Sequence, residues 1–344
     1  MKLGIIVGLS LTPIYLLYNN LNNYSYGQNS QISETLITGT IETKYLFWVV
    51  TWGKETSLDK IIQLSKQSNN IKIGLVDIAE SSYHNERFKS FLRNLCNKTD
   101  GEMFINEFFY TQRNDKTDID ENTLNNYIDT LKYISNVCKN KRNVTIFFSE
   151  MDSMPLDALV DLYKITKEYL PNAKFGYYTN FNQNPEYIIE LYKKLDNLGI
   201  KLSYVGYDIW PVPGYVYKKE NGKIAIPKQY VDMYLKPIIK FAKDKNITLF
   251  IGEIGFRNGD PEGYLYPAEV CLSNNNCTKT KDYEKTIGYL IDVIEDLKKI
   301  VIDNNYSGEF YIGIWNLNGA NDDTFGIGDN PYFDRLINYM IKDQ

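Results

Sequence analysis

The chain has 344 residues and a formal net charge of −5, enough for one large domain or two small ones. It has no basic run, which argues against a nucleic-acid partner. A single histidine, His84, and no acidic cluster of ligand spacing argue against a catalytic zinc site. The 29 tyrosines and four tryptophans supply flat faces, most of them for packing and some suited to a sugar ring.

The first element is apolar. Lys2 precedes a stretch from Leu3 to Tyr18, broken by Ser10, Thr12 and Pro13. It is too short and too broken for an ordinary membrane span and reads as a signal peptide or signal anchor, residues 1–18. Residues 19–43 read as a polar linker, and residues 44–344 as the folded domain. The expected location is extracellular, or membrane-anchored with the domain outside and residues 3–18 as tether. The cysteines agree with export. Cys271 and Cys277 flank five residues of an Asn-rich loop, so a local bridge is easy. Cys96 and Cys138 fall near the ends of predicted helices one repeat apart. Two disulfides are expected; the alternative is four free thiols. Asn-x-Ser/Thr triplets occur, but in so Asn-rich a chain they carry no argument.

From residue 44 onward, short apolar runs alternate with segments of helical period. The predicted strands are Tyr45–Thr51, Ile71–Ile78, Glu102–Phe109, Val144–Ser149, Lys174–Thr179, Leu202–Asp208, Thr248–Ile254 and Phe310–Trp315. Predicted helices between them include Leu124–Lys139, Leu156–Leu170, Pro185–Leu198 and Asp282–Ile302, with Ser153 before Pro155 and Asn184 before Pro185 as start signals. Eight such units predict an α/β fold, a (β/α)₈ barrel, whose usual size is about 250 residues. An open doubly wound sheet would show a glycine-rich phosphate turn after its first strand, and Trp52-Gly53-Lys54-Glu55 is not one.

A barrel puts its chemistry at the C-terminal ends of its strands. There the chain carries Trp52, then Asp77 and Glu80, Glu107, Glu150 with Asp152, Tyr207-Asp208 with Trp210, Glu253, and Trp315-Asn316. Glu253 stands out, because Leu249-Phe250-Ile251-Gly252 leads into one carboxylate between two glycines. It shares parity with Leu249 and Ile251, as Glu150 does with Ile146 and Phe148. Both acids are therefore expected to face inward together, and paired carboxylates are the usual cutters of glycosidic bonds. The bland alternatives are an ion pair of Glu253 with Arg257 and a helix-start position for Glu150. Trp52, Tyr207, Asp208, Trp210, Trp315 and Asn316 are expected to line the substrate.

The order Glu150, Tyr207-Asp208-Ile209-Trp210-Pro211, Gly252-Glu253-Ile254-Gly255, Ile314-Trp315-Asn316 resembles the clan A retaining glycoside hydrolases. The resemblance spans roughly residues 44 to 340. It implies Glu150 as acid/base, Glu253 as nucleophile, a carbohydrate substrate and no cofactor. It departs in two places: Ser149 stands where the clan carries Asn, and Leu75-Val76-Asp77-Ile78 lacks the arginine near the second strand. Val205-Gly206-Tyr207-Asp208 is also similar to the strand-six Tyr-Asp of family 18 chitinases, without their strand-four aspartates. A non-catalytic carbohydrate-binding or surface-interaction protein on a degenerate barrel is the rival from another class.

Overall fold

The apolar runs are rich in β-branched and aromatic residues, and each is followed by an amphipathic segment, so each pair folds as one strand and one helix. A computed structural model of the chain describes residues 41–51, 58–79, 84–99, 101–109, 119–139, 143–209, 216–256, 258, 261, 282–315, 317 and 326–343. The elements are β1 (Ile41–Val50), α1 (Leu58–Gln67), β2 (Ile71–Ile78), α2 (Glu86–Lys98), β3 (Met103–Phe108), α3 (Glu121–Val137), β4 (Val144–Ser149), α4 (Leu156–Tyr169), β5 (Lys174–Thr179), α5 (Pro185–Asn197), β6 (Leu202–Ile209), α6 (Lys236–Lys245), β7 (Thr248–Ile254), α7 (Tyr283–Asp303), β8 (Gly308–Ile314) and α8 (Phe333–Lys342). Strand β1 starts inside the segment expected to be linker.

Each strand pairs in parallel with its sequence neighbours, and β8 pairs with β1, so the sheet closes as the predicted (β/α)₈ barrel. Between β6 and α6 a hairpin joins Lys218–Glu220 to Lys223–Ala225. Asp292 and Asp296 of α7 hold it by accepting the amides of Ile224 (3.1 Å) and Ile226 (2.7 Å).

Helix starts follow local chemistry. Asn85, Asp120, Asn184 and Asp282 each accept an amide of the first turn of α2, α3, α5 and α7. The expected start signal at Ser153 is replaced: α4 begins after Pro155 with no side-chain cap, because the fixed φ of proline already suits a helix entry.

Alternation along the strands makes two cores. One lies between sheet and helices. The other fills the barrel with Leu46, Trp48, Val50, Val76, Phe104, Phe147, Tyr178, Tyr204, Phe250 and Tyr311. Phe147 and Phe250 meet at the centre with ring centroids 4.5 Å apart. So many rings fit because glycines on neighbouring strands leave space: a Cβ at Gly176 would lie 2.1 Å from the Phe147 ring. Outside the sheet, Cys96 of α2 and Cys138 after α3 are bridged as expected, with Cα atoms 5.3 Å apart. Cys271 and Cys277 lie outside the described residues, as do residues 1–40 with the expected tether. Among the described residues no helix is long and apolar enough to cross a membrane.

Candidate active site

Three carboxylates meet at the C-terminal end of the barrel. One oxygen each from Glu150, Asp208 and Glu253 lies within 4.8 Å of the others. They arrive there by three different backbone routes.

Asp208 follows plain alternation: Tyr204 of the same strand parity points into the barrel, and Asp208 follows it four residues on. Glu253 does not. Leu249 and Ile251, with which it shares parity, face the helices, whereas Phe250 faces the barrel interior. Parity alone would turn Glu253 outward, so the expected alignment with Leu249 and Ile251 is corrected. A β-bulge reverses the side. On one flank Tyr207 pairs with Ile251 and Ile209 with Ile254; on the other Ile312 pairs with Ile251 and Ile314 with Ile254. Two residues, Gly252 and Glu253, thus stand against one on each neighbouring strand, and both point inward. Glu150 has the same parity problem, since Ile146 and Phe148 face the helices. It is turned in by a left-handed backbone, φ +53°, a conformation that costs a non-glycine residue roughly 1–2 kcal/mol.

The bulge is supported from inside. Trp48 Nε1 donates to the Gly252 carbonyl at 2.7 Å. Gly313 lets that carbonyl approach, because a Cβ there would lie 1.8 Å from it. Gly252 itself makes room for a ring rather than for a ligand: a Cβ would lie 2.2 Å from Tyr178. The Tyr178 hydroxyl donates to Glu253 Oε1 at 2.8 Å and accepts from Asn106 Nδ2 at 2.5 Å. Burial, then the charges of Glu253 and Asp208, push the Tyr178 pKa well up, so it stays a phenol and a donor. Burial and the neighbouring Glu253 and Glu150 charges likewise push the Asp208 carboxyl well above the usual carboxylate range.

Glu150 also opens onto a cleft of about 460 Å³ lined by Asp152, Ser153, Asn180, Asn182 and Gln183. Asp152 is fastened there: it accepts from Tyr177 (3.0 Å), from the Thr179 hydroxyl, and from the amide and side chain of Asn180. It ties the end of β4 to β5.

Other residues singled out from the sequence fall elsewhere. Tyr207 lies in the helix-side core, its hydroxyl donating to the Gln183 carbonyl at 2.7 Å. It presents no ring to the barrel mouth, because β6 turns Asp208 inward and therefore Tyr207 outward. Asp77 accepts from Thr51 and Asn85, and Glu107 is buried beside Tyr127 of α3; both have the outward parity. His84 is exposed, near Asn126. Trp315 is half-buried and packs against the barrel-interior cluster. Trp52, Glu80, Trp210, Arg257 and Asn316 lie outside the described residues. Sequence reasoning passed over Tyr178, Asn106 and Trp48. For two of them a signal was present: Trp48 sits in the middle of a predicted strand, and Tyr178 alternates with Gly176.

No known family profile matches the chain, and no curated protein does. Solved structures do. The endo-alpha-mannosidase of family GH99 from Bacteriodes thetaiotaomicron is 13% identical, with 88% of this chain and 98% of that chain covered and a TM-score of 0.50. Xylanase 10B from Thermotoga maritima is 13% identical over 87% and 96% of the two chains, with a TM-score of 0.48. A chitinase domain from Pyrococcus furiosus is 11% identical over 89% and 97%, with a TM-score of 0.47. At these identities the likeness is one of fold.

Proposed function

We propose that the chain is a retaining glycoside hydrolase acting on an extracellular polysaccharide or oligosaccharide. The observation that carries this reading is the meeting of Glu150 and Glu253, with carboxylate oxygens within 4.8 Å, at the end of the barrel where such folds do chemistry. A retaining pair needs carboxyl groups about 5–5.5 Å apart, whereas an inverting pair leaves about 6.5–9.5 Å for a water. The barrel shared with the endo-alpha-mannosidase is one on which glycoside hydrolysis is known to run.

Glu253 is the nucleophile. Tyr178 fixes its carboxylate and keeps the second oxygen for the anomeric carbon. Glu150 is the acid/base: it protonates the leaving oxygen, then removes a proton from the water that releases the sugar. The polar cleft beside Glu150 takes the leaving group, Trp315 offers a ring to the sugar, and Trp52, Trp210 and Asn316 remain substrate-binding candidates from the sequence. The barrel works outside the cell, and the Cys96–Cys138 bridge supports an oxidising compartment.

The test is a screen on β-linked glucans, mannans, galactans, chitin and an α-mannan, with the anomer of the first-formed product read by NMR. Retention and a loss of several orders of magnitude in Glu253→Gln are expected. Inversion, or full activity in Glu253→Gln, would overturn the assignment. Sugar binding without hydrolysis, weakened by Trp315→Ala and unmoved by Glu253→Gln, would establish the binder instead.

A further inference from the structure

Asp208 is the acid of the cluster that the proposed cycle leaves idle. It is fully buried, and neither of its oxygens is met by a hydrogen-bond donor among the described residues. The titratable groups acting on it are Glu253 on β7, with Glu150 and Asp152 at the end of β4, every one an acid. The phenols of Tyr178 on β5 and Tyr217 beyond β6 face it as well. An ionised carboxylate in such a place would be severely penalised. One oxygen each of Glu150 and Glu253 lies within 4.8 Å of an Asp208 oxygen, so a proton on Asp208 both removes that penalty and supplies a donor the two neighbours can accept.

We propose that Asp208 is a positioning residue that stays un-ionised and gives its hydrogen bond to whichever of Glu150 and Glu253 carries the negative charge. The role rests on the retaining reading of that pair, whereas the protonation itself does not. In the resting site Glu253 is charged and Glu150 holds the acid proton. Attack forms the bond between Glu253 and the anomeric carbon. The bond to the leaving oxygen breaks, and the Glu150 proton moves to that oxygen. The charge now sits on Glu150. In the second half water bonds to the anomeric carbon, its proton goes to Glu150, and the ester electrons return to Glu253. The charge thus shuttles between two groups, each within 4.8 Å of Asp208. Asp208 neither gains nor loses its proton, and the cluster keeps one net negative charge throughout. Tyr178, anchored at the Glu253 end, cannot follow the charge in this way.

Thermal unfolding of the whole chain and of Asp208→Asn, compared from about pH 4 to about pH 8, tests the protonation without any sugar. The unfolded chain releases the Asp208 proton near pH 4, and the folded chain keeps it to higher pH. Stability is therefore full below that point and falls as pH rises. The wild-type midpoint is expected to drop relative to Asp208→Asn across this range; parallel curves would overturn the proposal. Calcium or magnesium chloride is expected to leave the wild-type midpoint unmoved. A rise that Asp208→Asn abolishes would show that a cation, not a proton, balances the cluster, and would also overturn it. Should Asp208→Asn not fold, the infrared carbonyl stretch of protonated carboxyl groups in Glu150→Gln replaces it. A band retained at neutral pH is expected, and its absence is disproof. Once a substrate is known, Asp208→Ala should lower kcat at least tenfold further than Asp208→Asn, which keeps a donor. In Asp208→Asn the alkaline limb of kcat/KM should move up. Equal losses in the two variants would rule out the donor role. Absence of hydrolysis on every sugar would count against the glycosidase reading and leave the unfolding and infrared results standing.

Discussion

At the scale of single residues, the site is built from departures from local preference. Glu150 holds a left-handed backbone, and such strain persists where the surroundings over-determine it. Replacing it by glycine removes the steric cost and one acid of a crowded acidic cluster. Glu150→Gly is therefore expected to be more stable by about 1 kcal/mol in chemical denaturation, while losing the carboxyl group proposed as acid/base. A less stable variant would mean that the strain is relieved by a bond not accounted for. Tyr178 offers a cleaner measurement. Tyr178→Phe keeps the ring that fills the space above Gly252 and removes the hydroxyl that donates to Glu253 and accepts from Asn106. A hydrogen bond to a charged group is worth about 1.5–3 kcal/mol. A fall in kcat/KM of about 10- to 100-fold is expected, with the circular-dichroism spectrum unchanged.

At the scale of elements, β7 sets where the proposed nucleophile points. Its bulge turns Glu253 from the helix side to the barrel interior, and the carbonyl it releases is taken by Trp48. Gly313→Ala would drive a methyl into that carbonyl, so a loss of about 1–3 kcal/mol is expected in urea unfolding. Activity should fall with it, because the bulge and Glu253 move together. The bridge between Cys96 and Cys138 closes a loop of 42 residues. Loop-closure entropy gives it about 4 kcal/mol of stabilisation on the chain-entropy account. A Cys96→Ser, Cys138→Ser double variant is expected to melt several degrees lower, which calorimetry reads directly.

For the molecule as a whole, closure is the organising fact. Strand β8 pairs with β1 along seven residues of register, which seals the aromatic interior. A chain truncated before Gly308 would leave β1 and β7 each with an unpaired edge and expose Trp48, Phe104 and Tyr311's neighbours to water. It is expected to show no cooperative thermal transition. A sharp transition would mean that the first seven strands suffice.

The repeat of apolar run and amphipathic segment determined the fold class from sequence, because alternation and helical period are local properties of a chain. Strands β2, β4, β5 and β7 were legible to the residue. Glu150, Asp208 and Glu253 could be picked out because acids at the ends of apolar runs are rare. The direction in which two of those acids point was not legible. Parity counted from Leu249 and from Ile146 aimed at the helix layer, and a bulge and a positive φ, both set by contacts with distant strands, turned the side chains round. Tyr207 was misplaced for the same reason in reverse, since a regular strand that turns Asp208 inward must turn its neighbour out. Only closure of the barrel brought Asn106 and Tyr178 to Glu253 and Trp48 to the Gly252 carbonyl, because these residues lie on β3, β5 and β1 and meet through hydrogen bonds between residues far apart in the chain.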